Sequence, residues 1–280
     1  MSNPRLTVLV VGATGSIGRL VVEEAVRKGY AVRALVRDAG TARRLFPEVE
    51  MVVGDLIRPD TPAAAVDRVD AIVSTHGSDG GRKTGAERVD YGGVRHVLAA
   101  LGGRSVRTAL MTAIGVTNRG GDYNRRTEAH DWKRRSERLV RTSGLPYTIV
   151  RPGWFDYNAS GEHRLVLLQG DRRHAGNSSD GVVARRQLAE VLVASLTSAA
   201  ALRKSFELVA TKGPAQDDLD AELARLDADP PGALDAVHDL ANMPLQEEPQ
   251  GVRHDLEAVR RRTADDRDVA EKDGLPCERL

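Results

Sequence analysis

Gly12, Gly15 and Gly18 stand three residues apart in LVVGATGSIGRL, directly after an apolar run over 6–11. Glycines in this rhythm suit the binding of a pyrophosphate. Gly12 lets the chain leave a strand in a tight turn. Gly15 lets backbone approach the phosphates, and Gly18 lets the next helix sit close to the strand. Thr14, Ser16 and Ile17 complete the loop, and the helix that follows turns its free N–H groups toward the anion. A strand before and a helix after separate this pattern from a chance glycine turn. No Gly-Lys-Ser/Thr ends it, so the loop points to a dinucleotide and not to a nucleoside triphosphate.

The end of the second apolar run, RALVRD, bears on which dinucleotide. An acid there would take the ribose 2′-hydroxyl, whereas an arginine can pair with a 2′-phosphate and stack on adenine. Arg37 follows Val36 directly, which favours NADP(H) over NAD(H). Asp38 is the competing residue, since a slip of one position would make it the ribose acid. Arg37 as a plain surface charge is the other reading.

These residues need a scaffold, and the chain alternates strand and helix signals. Apolar runs at 6–11, 31–36, 51–55, 70–75, 106–114 and 146–152 read as strands. Helical spacing runs over 16–29, 85–103 and the very basic 125–144. That rhythm predicts an α/β fold, a Rossmann-type doubly wound parallel sheet. After Pro152 it loosens into a strand at 164–170, a helix at 181–198 and a last strand at 205–210.

The whole chain has 280 residues and a net charge of +1, unevenly spread. Residues 211–280 hold 18 acidic and 9 basic residues and no Phe, Trp or Tyr. This shift predicts a body over 1–210, including a substrate-side segment at 152–210, and an acidic helical tail over 211–280. Leucine spacing at Leu219, Leu223 and Leu226, and again at Leu234, Val237 and Ala241, predicts short helices packed on the body, loose from about 263. The basic body suits a multiply phosphorylated small molecule. No zinc-finger spacing or RNA-binding aromatic motif supports nucleic acid as a partner. The single cysteine, Cys277, allows no internal disulfide and fits a reducing cytoplasm. The histidines lack metal-ligand spacing, and no apolar run approaches the ~20 residues of a membrane span. Oligomeric state is not legible.

More of the chain resembles the atypical branch of the short-chain dehydrogenase/reductase (SDR) superfamily, in its NAD(P)H-binding, NmrA-like group. The shared stretches are GATGSIG, VGDL, AIVSTHG, VDYGGVRHVLAAL, LMTAIGV, WKRRSERLVRTSGLPYTIVRPG and FELVA, over roughly 6–210. The resemblance implies that Asp55 and Leu56 contact adenine, and that Ser74, Thr75 and His76 line the adenosine ribose. It also implies a reductase site, in which a Ser or Thr after strand five joins a Tyr-x-x-x-Lys on the next helix. Lys133 fits that lysine and would hold the nicotinamide ribose. The serine position is Ala113, with Thr112 beside it, and the tyrosine position is Ala129. A methyl group cannot transfer a proton. Thr112 and Tyr123 are the candidates to share catalysis with Lys133, although strand alternation turns Thr112 away from the face of Ala113. His130, Tyr157 and Asp156 are further candidates. Trp154, Phe155 and Tyr157, in RPGWFDYN, would line a substrate pocket; Trp154 and Phe155 read equally well as core. The expected activity is an NADP(H)-dependent oxidoreductase acting on a small organic molecule. The alternative is a non-catalytic NADP(H)-binding sensor.

Overall fold

The computed structural model describes residues 5–78 and 83–272, without the side chains of 263–272. Strands are β1 (Thr7–Val11), β2 (Ala31–Val36), β3 (Glu50–Val53), β4 (Ala71–Ser74), β5 (Arg107–Met111), β6 (Tyr147–Pro152), β7 (Trp154–Phe155), β8 (Arg164–Leu168), β9 (Val182–Val183) and β10 (Lys204–Thr211). Helices are α1 (Ser16–Arg27), α2 (Ala39–Leu45), α3 (Lys83–Gly85), α4 (Gly92–Leu101), α5 (Asp122–Thr127), α6 (Ala129–Thr142), α7 (Arg185–Ala194), α8 (Leu219–Ala224) and α9 (Gln250–Lys272). A π-helical turn, Ala86–Tyr91, leads into α4.

The sheet order is β3-β2-β1-β4-β5-β6-β10, all parallel, continued by β9 and β7, with β8 antiparallel on β10. Order reverses between β1 and β4, so a crevice opens at their C-terminal ends, where such sheets bind ligands. β1 shows why the sheet is covered on both faces. Val8 and Val10 enter one core with α1 and α7, while Leu9 and Val11 enter the other with α4, α6 and α9. A strand buried on both faces must be apolar at every position.

Several expected elements differ. The predicted helix over 125–144 is broken at Glu128, whose φ of 54° lies in the left-handed region. Asn124 makes the break useful: its Oδ1 accepts from the N–H groups of His130 (3.0 Å) and Asp131 (3.1 Å), capping α6. No helix forms at Leu234, Val237 and Ala241. The chain there is held irregular because its backbone and acids bind α6. α9 runs from Gln250 to Lys272, past position 263 from which a loose end was expected, and residues 273–280 lie outside the described part.

The basic stripe of α6 does not face solvent. Arg134, Arg135, Arg138 and Arg141, with Arg151 of β6, are all buried. Arg134 and Arg138 share Asp235 (3.0 and 2.6 Å), Arg135 and Arg138 share Glu248 (2.6 and 2.9 Å), and Arg141 takes Asp229 (3.1 Å). Arg151 pairs with Glu137 (2.6 Å), Glu207 (3.2 Å) and Asp239 (2.7 Å). The carbonyls of Leu240 and Met243 accept from Arg134 and Arg138. Val252, Leu256 and Val259 of α9 then close the apolar side. The acidic tail therefore neutralises the basic helix from within, and these five arginines are not a surface for phosphorylated ligands.

Candidate functional site

The glycine loop sits at the reversal point of the sheet. Gly12 has φ of 85°, and a Cβ there would lie 2.8 Å from the backbone nitrogen of His76. A Cβ on Gly18 would strike the backbone of Gly12 and Ala13, so α1 rests directly on the turn. Gly15 differs. Its backbone is ordinary (φ −72°, ψ 167°), and a Cβ would approach only Gly12 O, at 3.2 Å. Gly15 is the N-cap of α1, no side chain caps that end, and Gly15 and Ser16 are exposed. The first-turn N–H groups have no partner within the helix. Ile17 and Gly18 are buried behind them, and the Thr14 carbonyl is held by Arg19 Nε at 2.9 Å. A cradle that a side chain would fill, with open donors at a helix end, fits a pyrophosphate.

At the end of β2 the register separates the two candidates. Asp38 is the N-cap of α2: Oδ1 accepts from Gly40 N at 2.8 Å and Oδ2 from the Thr41 hydroxyl at 2.6 Å. The Thr41 hydroxyl and the nearby amides hold its carboxyl below the usual carboxylate range. Arg37 is exposed. After β3, Asp55 is fixed by Thr61, whose hydroxyl donates to the Asp55 carbonyl at 2.6 Å, and Leu56 leans toward Gly93.

At the end of β4, Ser74, Thr75 and His76 are buried. The Thr75 amide and hydroxyl both donate to Val11 O, at 2.9 and 3.1 Å, binding β4 to β1. The His76 ring lies where a Cβ on Gly93 would be, 2.8 Å from Nε2. Burial lowers its pKa to about 4, so the ring is neutral at pH 7. Lys133 Nζ donates to Asp90 Oδ1 at 2.5 Å, and Asp90 Oδ2 accepts from the Ser78 hydroxyl at 2.5 Å. Both Lys133 and Asp90 stand beside Gly77, where the chain leaves β4.

The remaining expected site residues separate. Thr112 donates its hydroxyl proton to Glu137 Oε1 at 2.7 Å, inside the buried arginine network. Thr112 is one of the expected catalytic residues, and this bond occupies its hydroxyl proton. Ala129 is buried at the head of α6. Tyr123 is 43% exposed on α5 and its ring lies 5.1 Å from that of His130. Burial lowers the His130 pKa, and its Nδ1 has no partner. Trp154 and Tyr157, 39% and 65% exposed, form an edge-to-face pair at 6.5 Å beyond β6. Phe155 turns inward against the α1/α7 core, beneath the Arg185 guanidinium. The pocket expectation thus divides, with Trp154 and Tyr157 outward and Phe155 half-buried against the core.

Comparison with known proteins agrees with this fold. Residues 12–199 match the family model described as NAD(P)H-binding. The chain belongs to that NAD(P)H-binding family. It is 30% identical to an uncharacterized chloroplastic protein of Arabidopsis thaliana over 72% of this chain and 69% of that one. It is 25% identical to sanguinarine reductase of Eschscholzia californica, over 74% of this chain and 90% of the reductase. Among solved structures, a protein of Bacillus halodurans described provisionally as an NAD-dependent epimerase/dehydratase superposes with a TM-score of 0.64 at 24% identity. That match covers 75% of this chain and 96% of the other, and shares the Rossmann fold.

In this NAD(P)H-binding chain three acids escaped sequence reasoning. Asp90 lies in the quoted VDYGG stretch, but nothing local marks it as the partner of Lys133. Asp171 (φ 47°) accepts from the N–H groups of Gly115 and Thr117, both at 2.6 Å, and so fixes the loop after β5. Glu207 lies in β10 as one alternating position among others.

Glu207 also gives a pH prediction. Burial raises its carboxyl from 4.5 to about 7 against the pull of Arg151, with Asp171 adding to the rise. The folded state thus holds the proton more tightly than the unfolded chain. The stabilisation from this group is complete below about 4.5 and is lost as pH rises through about 7. At ~1.4 kcal/mol per pKa unit, the loss is of the order of 3 kcal/mol. Glu207→Gln should remove that slope: between pH 5 and 8 the wild type loses stability relative to the variant. Urea titrations at both pH values measure it, and parallel pH profiles would contradict it.

Proposed function

We propose that the protein is an NADP(H)-dependent oxidoreductase of the atypical SDR, NmrA-like type, acting on a small organic substrate. The observation that carries this reading is the open cradle at Gly15, at the point where the sheet order reverses. Arg37 supports NADP(H), because the competing acid Asp38 is engaged in capping α2. In this reading Gly12, Thr14, Gly15, Ser16, Ile17 and Gly18 hold the pyrophosphate, and Arg37 holds the 2′-phosphate. Asp55, Leu56, Ser74, Thr75 and His76 enclose the adenosine. Lys133, aimed by Asp90, holds the nicotinamide ribose. The bound cofactor would supply hydride. Tyr123, whose phenol is exposed, or water supplies the proton, since Ala113 and Ala129 have none to give. Trp154 and Tyr157 offer aromatic faces to the substrate. A cytoplasmic setting is our reading; among the described residues no helix is long and apolar enough to cross a membrane, and one relative is chloroplastic.

A second reading, a non-catalytic NADP(H) sensor, is favoured by one observation. Thr112, the hydroxyl next to Ala113 at the end of β5, is committed to Glu137. Cofactor titration and a turnover panel of carbonyls, quinones and flavins separate the two. NADPH should bind more tightly than NADH, and Arg37→Asp should weaken NADPH by about ten- to a hundredfold, the worth of a charged hydrogen-bonded contact, while sparing NADH. Tighter NADH binding by the wild type would overturn the NADP assignment. Tight NADPH binding with no turnover across the panel would favour the sensor.

A further inference from the structure

A cavity of about 220 Å³ lies between the loop after β5 and the segment after β8, lined by Ile114, Leu168, Gln169, Arg172, Arg173 and Glu207. Its place ties it to the proposed reaction centre. Ile114 follows Ala113, and its amide donates to the carbonyl of Pro152 at 3.1 Å, where β6 ends. On the far side Arg173 Nη1 donates to Asp180 O at 3.2 Å. The next residue, Gly181, accepts from the amide of Trp154 at 2.9 Å. The cavity therefore lies beside the C-terminal ends of β5 and β6, on the side where the chain runs on to Trp154.

Its charge is unbalanced. Arg172 and Arg173 are exposed, and among the described residues neither guanidinium has a carboxylate partner. The acids nearby are already engaged. Asp171 accepts from the Gly115 and Thr117 amides. Asp180 accepts from the amides of Ala175 (2.6 Å) and Gly176 (2.7 Å). Glu207 binds Arg151 and the Asp171 amide. The Gln169 amide is fully used: its nitrogen donates to the Ser205 and Asp227 carbonyls, and its oxygen accepts from Asp227 N. What the cavity offers a ligand is two guanidiniums and the apolar side chains of Ile114 and Leu168. Guanidinium forks match a planar carboxylate, and apolar walls match a hydrocarbon body.

We propose that this cavity is the substrate's anion subsite, and that the substrate is a small, largely apolar molecule carrying a carboxylate. The inference rests on the oxidoreductase reading for what the cavity serves, and it stands on its own as a binding site. Arg172 and Arg173 anchor the carboxylate. Ile114 and Leu168 contact the body, which then extends toward the open face at Trp154.

Calorimetric titration of the full chain with benzoate, benzamide and inorganic phosphate tests it. Benzoate should bind saturably. Benzamide, the neutral isostere, should bind at least about tenfold more weakly, since it forfeits a charged hydrogen-bonded pair. Phosphate, which lacks the apolar body, should displace benzoate only weakly. Arg172→Gln with Arg173→Gln should cost benzoate about tenfold or more and leave NADPH affinity unchanged, because both side chains are exposed and outside the glycine cradle. Equal binding of benzamide, equal competition by phosphate, unaltered benzoate binding by the double variant, or no benzoate binding would each overturn the proposal. Failure of NADPH to bind in a parallel titration would instead strike the oxidoreductase reading and leave the benzoate result standing.

Discussion

A chain ended at Thr211 is expected not to fold. The body over 1–210 contains all seven parallel strands save one residue, and by topology it is a complete Rossmann unit. It is electrostatically incomplete. Without the tail, Arg134, Arg138 and Arg135 lose Asp235 and Glu248, Arg141 loses Asp229, and Arg151 loses Asp239. Losing one partner of a buried pair costs about 3–5 kcal/mol, because the other charge stays buried and unpaired. Domains of ordinary stability hold only about 5–15 kcal/mol in total. Several such losses exceed that margin, even if α6 tilts outward to let water reach some of the arginines. A milder variant keeps the prediction measurable. Glu248→Ala removes one buried carboxylate shared by Arg135 and Arg138, and should lower unfolding free energy by about 3 kcal/mol or more in urea. A truncated chain with cooperative unfolding would show that α6 tolerates its charges without the tail.

That dependence explains what was and was not legible in the sequence. Strand and helix alternation is written locally: β1 is apolar at each inward position because helices cover both its faces. The parity that turns Thr112 away from Ala113 is equally local, and the Thr112–Glu137 bond follows from it. Register at β2 was half legible. Arg37 and Asp38 were both visible, but only the start of α2 makes Asp38 a cap. The tail was the hard case. Pairs such as Arg138–Asp235 join residues nearly a hundred positions apart, and no periodicity records them. Their one trace is the opposite charge of body and tail, which on composition alone reads as two regions rather than one interlocked core. α9 was legible only as part of a helical tail, without bounds, for a related reason: Val252, Leu256 and Val259 are a thin apolar stripe on a helix otherwise full of charge. Asp90, Asp171 and Glu207 are single acids whose roles arise from tertiary neighbours.

Gly15→Val is expected to separate cofactor binding from folding. Gly12 and Gly18 cannot make that separation. A side chain at either meets backbone, and Gly12 in addition holds a positive φ, so substitution there damages the turn itself. At Gly15 the backbone is extended, as β-branched residues prefer, and the nearest protein atom to a new Cβ is Gly12 O at 3.2 Å. Stability should change by no more than about 1 kcal/mol. The valine methyls, however, would stand in front of the first-turn N–H groups of α1, in the space that a pyrophosphate must enter to reach them. Each hydrogen bond to a charged group is worth about 1.5–3 kcal/mol, so losing even two of them lowers NADPH affinity by a hundredfold or more. Fluorescence titration with NADPH, paired with a thermal melt without cofactor, reads both quantities from one preparation. Unchanged NADPH affinity in a well-folded Gly15→Val protein would move the pyrophosphate away from α1, and with it the assignment of Arg37, which reaches the 2′-phosphate only if the dinucleotide lies across this end of the sheet.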